Sequence, residues 1–152
     1  MYKTTLDNLI NGDLGEGEDG NFYLLRNGER VLYIGISSMG AGYRWFGSSF
    51  HSHLAYNVDG KLFGCTSIGR YVVDNLPESL EWGIEFWSGK DLIDFLGDEW
   101  IYRVDIPDYY IAEQAERMMI WRLKPERNSS YNSIREGKEW LAELKKAHPE
   151  LE

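Results

Sequence analysis

The hydrophobic pattern of the first half of the chain predicts a β-hairpin. Two strand-like runs, Asn21 to Arg26 and Glu29 to Ile36, are separated by only two residues. Asn27-Gly28 lies between them and favours a tight turn, because both of its positions accept positive φ angles. Ahead of the hairpin, Thr4 to Ile10 is typical of a short helix followed by a Gly-rich loop.

The pattern then alternates between helical and strand periods. Thr66 to Asn75 carries apolar residues at helical spacing, with Thr66 or Ser67 as its cap, and Pro77 follows as a helix breaker. Leu80 to Trp87 alternates acidic or small residues with large apolar ones, which predicts a half-buried strand. Trp100 to Ile106 predicts a further strand.

Helical patterns surround these strands. The segment that opens at Gly40 predicts a helix start, and Asp91 to Leu96 predicts a short helix. Tyr110 to Leu123 is the strongest helical pattern and stops before a proline. Ile134 to Ala147 predicts a last amphipathic helix. Together the elements predict an α+β fold in which helices flank a small central antiparallel sheet, made of the hairpin plus one or two further strands.

Composition narrows the class of protein. A chain of 152 residues fits one domain, and 43% hydrophobic residues with 6 Trp, 10 Tyr and 6 Phe indicate a folded core. No apolar run is long enough to span a membrane, and the N-terminus lacks the apolar block of a signal peptide. With Cys65 as the only cysteine, no internal disulfide can form, and we expect a cytoplasmic protein without a membrane partner.

The charge restricts the expected partners. Sixteen basic against 25 acidic residues give a formal charge of −9, which opposes long-range attraction to a polyanion. Basic residues are nevertheless concentrated locally, at Arg117, Arg122, Lys124 and Arg127 and again at Arg26, Arg30 and Arg44. Local attraction to phosphate groups is therefore compatible with an acidic chain.

Five candidate functional side chains lie on or next to these predicted elements. Tyr23 and Tyr33 lie at matching points of the two hairpin strands, and Arg44 lies in the next predicted helix. Glu116 lies on the strongest helix, and Asn128 follows it just past Lys124-Pro125. Glu113 is an alternative to Glu116, although its spacing from Asn128 fits less well.

In this order and spacing the residues resemble the signature of the GIY-YIG nuclease superfamily. That signature joins a Gly-Ile-Tyr strand, a Tyr-Ile-Gly strand, an arginine on the next helix, a helix glutamate and a Pro-x-x-Asn segment. Its counterparts here are Asn21-Phe22-Tyr23, Tyr33-Ile34-Gly35, Arg44, Glu116 and Pro125-Glu126-Arg127-Asn128. The resemblance covers a motif core at 21–128 of a single expected domain, 1–152, and leaves a C-terminal helix at 133–148 beyond it.

The resemblance implies a metal-dependent endonuclease that hydrolyses phosphodiester bonds of nucleic acid, with DNA favoured over RNA. It implies Mg²⁺ or Mn²⁺ as the cofactor and Glu116 as the metal ligand, because hard divalent cations bind carboxylate oxygens. Arg44 is expected to hold the phosphate through its planar guanidinium. Tyr23 and Tyr33 are expected to position or activate water.

Further roles are expected around this core. Tyr43 and Trp45 flank Arg44 and are predicted to contact the substrate, because exposed rings stack on bases. Asn128 is predicted to brace the glutamate helix at the substrate-binding surface. No second DNA-binding domain is visible, so a protein partner that supplies specificity is an additional expectation.

Two departures from the signature keep alternatives open. The first Gly-Ile is replaced by Asn21-Phe22, and Ser48 stands where many members place a His, Tyr or Lys. His51 is predicted to take the role of that missing base, with His53 as the alternative. A different hypothesis is an inactive or weak nuclease fold that binds a basic protein, as an acidic inhibitor or accessory factor would. A structural domain with a coincidental motif is the third interpretation.

Overall fold

A computed structural model describes residues 1–12, 20–46 and 52–128. Over these residues the chain forms a four-stranded antiparallel sheet, a separate two-stranded sheet and five α-helices. The strands are β1 (Tyr2–Thr5), β2 (Phe22–Asn27), β3 (Arg30–Ile36), β4 (Leu54–Tyr56), β5 (Leu62–Gly64) and β6 (Gly83–Trp87). The helices are α1 (Leu6–Ile10), α2 (Ala41–Trp45), α3 (Ser67–Asp74), α4 (Gly89–Leu96) and α5 (Asp108–Leu123). The predicted α+β class, with a hairpin, two further strands and flanking helices, is confirmed.

The central sheet is built around the predicted hairpin. Its strand order is β1-β6-β2-β3, with β2 and β3 paired antiparallel from Phe22↔Ile36 to Asn27↔Arg30. The turn residues are Gly28 and Glu29, so the turn lies one position later than predicted. Gly28 has φ 62°, whereas Asn27 remains in the strand. A glycine with positive φ at the first turn position provides a turn that matches the twist of the strands.

Each face of the sheet buries its own hydrophobic cluster. One face packs against α1, α2, α3 and β4, and its largest buried side chains are Tyr23, Trp45, Trp82 and Phe86. The other face packs against α4 and α5, with Phe22, Leu24 and Ile34 contributed by the hairpin. Alternate residues of β2 therefore point to opposite cores, which is the period of an extended strand.

The chain that follows α5 is fixed to β3, the outer strand of the central sheet. Lys124 ends the helix in the left-handed conformation, with φ 53° and ψ 56°. The backbone N–H groups of Glu126 and Arg127 then donate to the carbonyls of Val31 and Leu32 at 3.0 and 2.8 Å. Strand β3 thus gains a second neighbour, and the residues after α5 are held at the sheet edge.

Three sequence predictions are wrong in detail. The N-terminal segment predicted as helix begins as strand β1, which pairs with β6, and helix α1 starts only after the capping residue Thr5. The predicted strand at Leu80 to Trp87 is shorter and is buried on both faces, since Phe86 belongs to one hydrophobic cluster and Trp87 to the other. No strand forms from Trp100 to Ile106, where the exposed Arg103 and Asp105 pair locally instead of meeting a sheet edge.

The remaining helix predictions agree with the structure. Helix α3 is capped by the Thr66 hydroxyl, which accepts from the Gly69 N–H, and α5 extends the predicted helix by two residues at its start. The predicted helix at 133–148 lies outside the described residues. No helix in the described ranges is long and apolar enough to cross a membrane.

Candidate functional site

A cavity of about 510 Å³ lies beside β3, at the sheet edge where α3 and α5 approach from opposite faces. Its six ionisable or amide side chains come from five separate points of the sequence: Tyr33, Arg44, His53, Glu116 and the adjacent Arg127 and Asn128. Because the strand, both helices and the chain after α5 are all needed to form it, the cavity exists only in the folded protein.

The backbone next to α2 places Arg44 and His53 together. Helix α2 is short and ends at Trp45, and the chain returns to it before β4. There the His53 N–H donates to the Arg44 carbonyl at 2.7 Å, and the Ser52 hydroxyl donates to the Tyr43 carbonyl at 3.0 Å. The imidazole is consequently held close to the guanidinium, and both side chains reach the cavity.

A chain of hydrogen bonds runs behind the cavity wall from Tyr23 through His53 to Thr66. The Tyr23 hydroxyl lies 2.7 Å from His53 Nε2, and His53 Nδ1 lies 2.7 Å from the Thr66 hydroxyl. Arg44, which can only donate, also faces the Tyr23 oxygen. We therefore assign the phenol proton to the bond with Nε2, which leaves Nδ1 protonated and donating to Thr66.

Burial keeps both members of this pair uncharged. Burial raises the pKa of Tyr23 well above its ordinary value, the neighbouring Tyr33 adds to the rise, and Arg44 opposes it. Burial and, to a smaller extent, the charge of Arg44 together lower the pKa of His53 to about 3. At neutral pH the phenol is protonated and the imidazole is neutral, so Nε2 accepts the hydrogen bond of the phenol.

Gly35 is needed for this arrangement. Tyr23 and Gly35 are direct partners across the hairpin, and a Cβ on Gly35 would overlap the ring and hydroxyl of Tyr23. Only a residue without a side chain leaves the phenol free to cross the strand toward His53. The sequence interpretation assigned no role to this neighbour contact.

Glu116 and Arg44 are oppositely charged groups of one cavity that are not paired with each other. Within residues 1–12, 20–46 and 52–128, no ion pair includes either side chain. Burial raises the pKa of Glu116, against a smaller lowering by the adjacent Arg117. A half-buried carboxylate and guanidinium that do not neutralise one another leave room for a charged ligand between them.

The N-terminus of α3 opens into the same cavity. Thr66, Ser67 and Ile68 all line it, and the first N–H groups of a helix have no partner within the helix. The positive end of the helix dipole therefore adds to the guanidinium of Arg44. This wall of the cavity favours an anion.

The donor set fits a divalent cation that arrives with its substrate. No cluster of three or more His, Cys, Asp or Glu side chains occurs in the described part of the chain. Glu116 is thus a lone carboxylate, whereas Mg²⁺ commonly retains waters and takes one or two carboxylates together with substrate phosphate oxygens. These residues do not provide a complete set of metal ligands, but they are compatible with a cation that takes its other ligands from water and from the substrate phosphate.

Comparisons with protein-family models, with curated proteins and with solved structures found no match for this chain. The site is accordingly interpreted from its own geometry.

The structure brings together most of the residues that the sequence singled out. Tyr33, Arg44, Glu116 and Asn128 line the cavity. Tyr23 lies one layer behind, 1% exposed, with its ring 6.2 Å from that of Tyr33. It therefore supports the cavity residues Tyr33, Arg44 and His53 from behind and does not line the cavity itself.

Two of the predicted substrate contacts have other roles. Trp45 is fully buried and packs against His53, with ring centroids 4.6 Å apart, so it supports the site from the core and cannot stack on a substrate. The Asn128 amide accepts from the Ile34 N–H and donates to the Ile34 carbonyl, both at 2.9 Å. It braces the chain after α5 against β3, as expected, and because it also lines the cavity, its substrate contact stays a prediction.

The predictions for Tyr43 and His51 are not decided by the described residues, but His53 lies at the site. Tyr43 is 41% exposed beside Arg44, which leaves its substrate contact a prediction. His51 and Ser48 lie outside the described residues. His53, the alternative to His51, is buried in the site. Strand alternation does not select it, because His53 and the next residue, Leu54, are both buried.

Proposed function

We propose that this chain is a metal-dependent endonuclease that hydrolyses phosphodiester bonds in nucleic acid, with DNA favoured over RNA. One observation supports this most strongly: Arg44 and Glu116 line the same cavity as Tyr33 and His53, and neither charge has an ion-pair partner among the described residues. A guanidinium suits a phosphate and a lone carboxylate suits a shared Mg²⁺ or Mn²⁺.

Arg44 and Glu116 divide the binding of the reacting phosphate between them. The planar guanidinium donates to phosphate oxygens and stabilises the negative charge that grows on them during attack. Glu116 supplies the protein ligand for the cation, which when bound contributes Lewis-acid stabilisation of the phosphate and the leaving oxygen. Holding both groups apart before substrate binds keeps each of them available.

The proton of the attacking water is taken up on the other side of the cavity. Tyr33 reaches the cavity and orients the water with its hydroxyl. Tyr23 and His53 lie next to it as a relay: the Tyr23 oxygen takes up a proton while its own proton moves to His53 Nε2, and Thr66 fixes the opposite nitrogen. The charge of Arg44 contributes to the low pKa of His53, so a phosphate bound to Arg44 relieves part of that effect and links proton uptake to substrate binding.

The acidic surface limits how tightly the chain alone binds. The formal charge of −9 repels a polyanion at long range, although the cavity lining carries two arginines against one glutamate. We propose that binding is modest and weakens as salt rises, and that a protein partner supplies specificity.

The direct test is cleavage of plasmid, single-stranded DNA and structured RNA with Mg²⁺, with Mn²⁺ and with EDTA. Wild type is compared with Glu116→Ala and with Glu113→Ala, an exposed glutamate on the same helix that serves as the matched control. We expect cutting that requires metal, is lost in Glu116→Ala and persists in Glu113→Ala.

Other outcomes would redirect the assignment. Cutting that survives Glu116→Ala would indicate a contaminant or a different metal ligand. Absence of cutting by wild type on every substrate would contradict the proposal and favour the alternative of an acidic protein that binds a basic partner.

A further inference from the structure

Arg127 is a second arginine of the cavity, and its backbone is held in place. Its N–H donates to the Leu32 carbonyl at 2.8 Å, and the neighbouring Glu126 and Asn128 are bonded to Val31 and Ile34 of the same strand. The residue therefore has a fixed position along β3, and it lines the cavity together with Tyr33 and Glu116.

An aromatic ring orients the Arg127 side chain. The centre of its guanidinium lies 4.1 Å from the centroid of the Tyr71 ring, and Tyr71 in turn packs on Trp82 with ring centroids 5.5 Å apart. Stacking uses the face of the guanidinium, whereas its N–H donors lie along the edge. The ring thus restricts the side chain without consuming its hydrogen-bond donors.

The carboxylate next to Arg127 is bound by another arginine. The nearest acidic residue in sequence, Glu126, accepts two bonds of 2.9 Å from Arg30. No ion pair within the described ranges includes Arg127. An arginine that is placed at a cavity, stacked and left without a carboxylate is suited to an external anion.

We propose that Arg127 binds a second phosphate of the substrate strand, adjacent to the phosphate held by Arg44. This inference rests on the proposed function, and it specifies the substrate class as a strand that continues past the cleaved bond. A mononucleotide ester carries only one phosphate and would leave Arg127 unoccupied. The two guanidiniums outnumber the single carboxylate of the cavity, so a second phosphate also improves its charge balance.

The test measures binding in EDTA, so that it does not depend on cleavage. A labelled short DNA duplex is titrated with wild type, Arg127→Met and Arg122→Met over a range of salt. Arg122 is the matched control, because its guanidinium also lies over a ring, 4.8 Å from the centroid of Phe95, but outside the cavity lining. Arg127→Met should weaken binding about tenfold and reduce the slope of log K against log salt by about 0.9, the contribution of one phosphate contact. Arg122→Met should change neither.

A second measurement checks the platform and the position of the phosphate. Tyr71→Phe keeps the ring and should retain wild-type binding, whereas Tyr71→Leu removes the ring and should approach Arg127→Met. In a cleavage assay, replacing the phosphate next to the cut by an uncharged methylphosphonate should slow wild type about tenfold and should have little further effect on Arg127→Met.

The outcomes separate this inference from the proposed function. Wild-type affinity and salt slope in Arg127→Met would overturn the role of Arg127, even if the enzyme cuts. So would a wild type that binds no nucleic acid. Binding that depends on Arg127 without any metal-dependent cutting would support this role and contradict the nuclease.

Discussion

Two glutamates of this protein are withdrawn from solvent and have very different surroundings. Glu85, on the central strand β6, is 5% exposed and accepts hydrogen bonds from the Arg26 guanidinium and from Trp87 Nε1. Both of its oxygens have a protein partner. Glu116, on α5, has no ion pair within the described residues and faces a cavity, and burial raises its pKa.

The difference separates a carboxylate that serves the fold from one that is kept for a ligand. A buried charge with complete hydrogen bonding is tolerated, and removing one partner leaves the other uncompensated. A buried charge without partners reduces stability and is retained only where something else uses it. The same contrast holds for the arginines, since Arg26 is paired with Glu85 whereas Arg44 is not paired with Glu116.

The largest effect on cleavage is expected from replacing Arg44, in comparison with replacing Arg26. Arg44→Gln should lower kcat about 10²- to 10³-fold, because it removes a donor that stabilises charge in the transition state. Arg44→Lys should restore little of this loss, since lysine lacks the planar fork. Steady-state cleavage at saturating metal is the measurement. The control is Arg26→Lys, which should leave kcat within about threefold of wild type; an equal loss in both arginine variants would contradict the distinction.

A smaller effect is expected at the two histidines. His53→Ala should lower kcat about 10- to 10²-fold, because it removes the proton acceptor of Tyr23. Single-turnover cleavage with excess enzyme isolates the chemical step. His51→Ala is the companion variant, since the sequence singled out His51 for this role. A larger loss of kcat in His51→Ala than in His53→Ala would assign the role of proton acceptor to His51 and contradict the assignment to His53.

The contrast between residues that were predicted and those that were not has a physical basis. The hairpin and α5 depend on local signals, a turn glycine and a long helical pattern, so the sequence predicted them well. Strand β1 has only four residues and forms by pairing with β6, some eighty residues away along the chain. Such pairing leaves no local trace, and its absence from the prediction follows from that.

Site residues divide in the same way. The spacing of Tyr33, Arg44 and Glu116 was visible in the sequence, and the cavity contains all three. The burial of Trp45 was not predictable, because an aromatic residue beside an arginine has the same sequence pattern whether it faces solvent or core. The burial of His53 was not predictable either, because His53 and the adjacent Leu54 are both buried, and strand alternation does not produce two buried neighbours.

A glycine comparison tests the geometry of the Tyr23–His53 pair. Gly35→Ala should displace the Tyr23 ring, lower kcat about tenfold and cost about 1–3 kcal/mol of the free energy of unfolding. Gly83→Ala is the matched strand substitution, because among the described residues its added Cβ would meet only the Thr4 carbonyl oxygen, at 4.0 Å. Urea unfolding and cleavage are measured on both variants. Equal behaviour of the two would mean that Gly35 does not hold Tyr23 in place.

The last expected effect is a change of stability with pH that traces to His53. Its pKa in the folded state is about 3, below the ordinary value near 6.5, so the unfolded chain takes up the proton first as pH falls. The contribution of His53 is complete above pH about 6.5 and is lost progressively toward pH 3, by up to about 1.4 kcal/mol per pH unit. Urea unfolding of wild type and His53→Gln from pH 7.5 to 4.5 should show a shallower acid dependence in the variant. Parallel curves would contradict the buried neutral imidazole.

The central claim is that Glu116 serves a ligand and Glu85 serves the fold, and one paired measurement tests it most directly. Glu116→Gln and Glu85→Gln are compared in metal-dependent cleavage and, in EDTA, in urea unfolding. For Glu116 the folded-state pKa lies above the unfolded one, so its charge destabilises the fold at neutral pH, and Glu116→Gln should gain stability while losing cleavage. Glu85→Gln should keep cleavage and lose about 1–3 kcal/mol, because it weakens the bond to a charged guanidinium. Cleavage at the wild-type rate by Glu116→Gln, or a loss of stability in it that equals that of Glu85→Gln, would contradict the account.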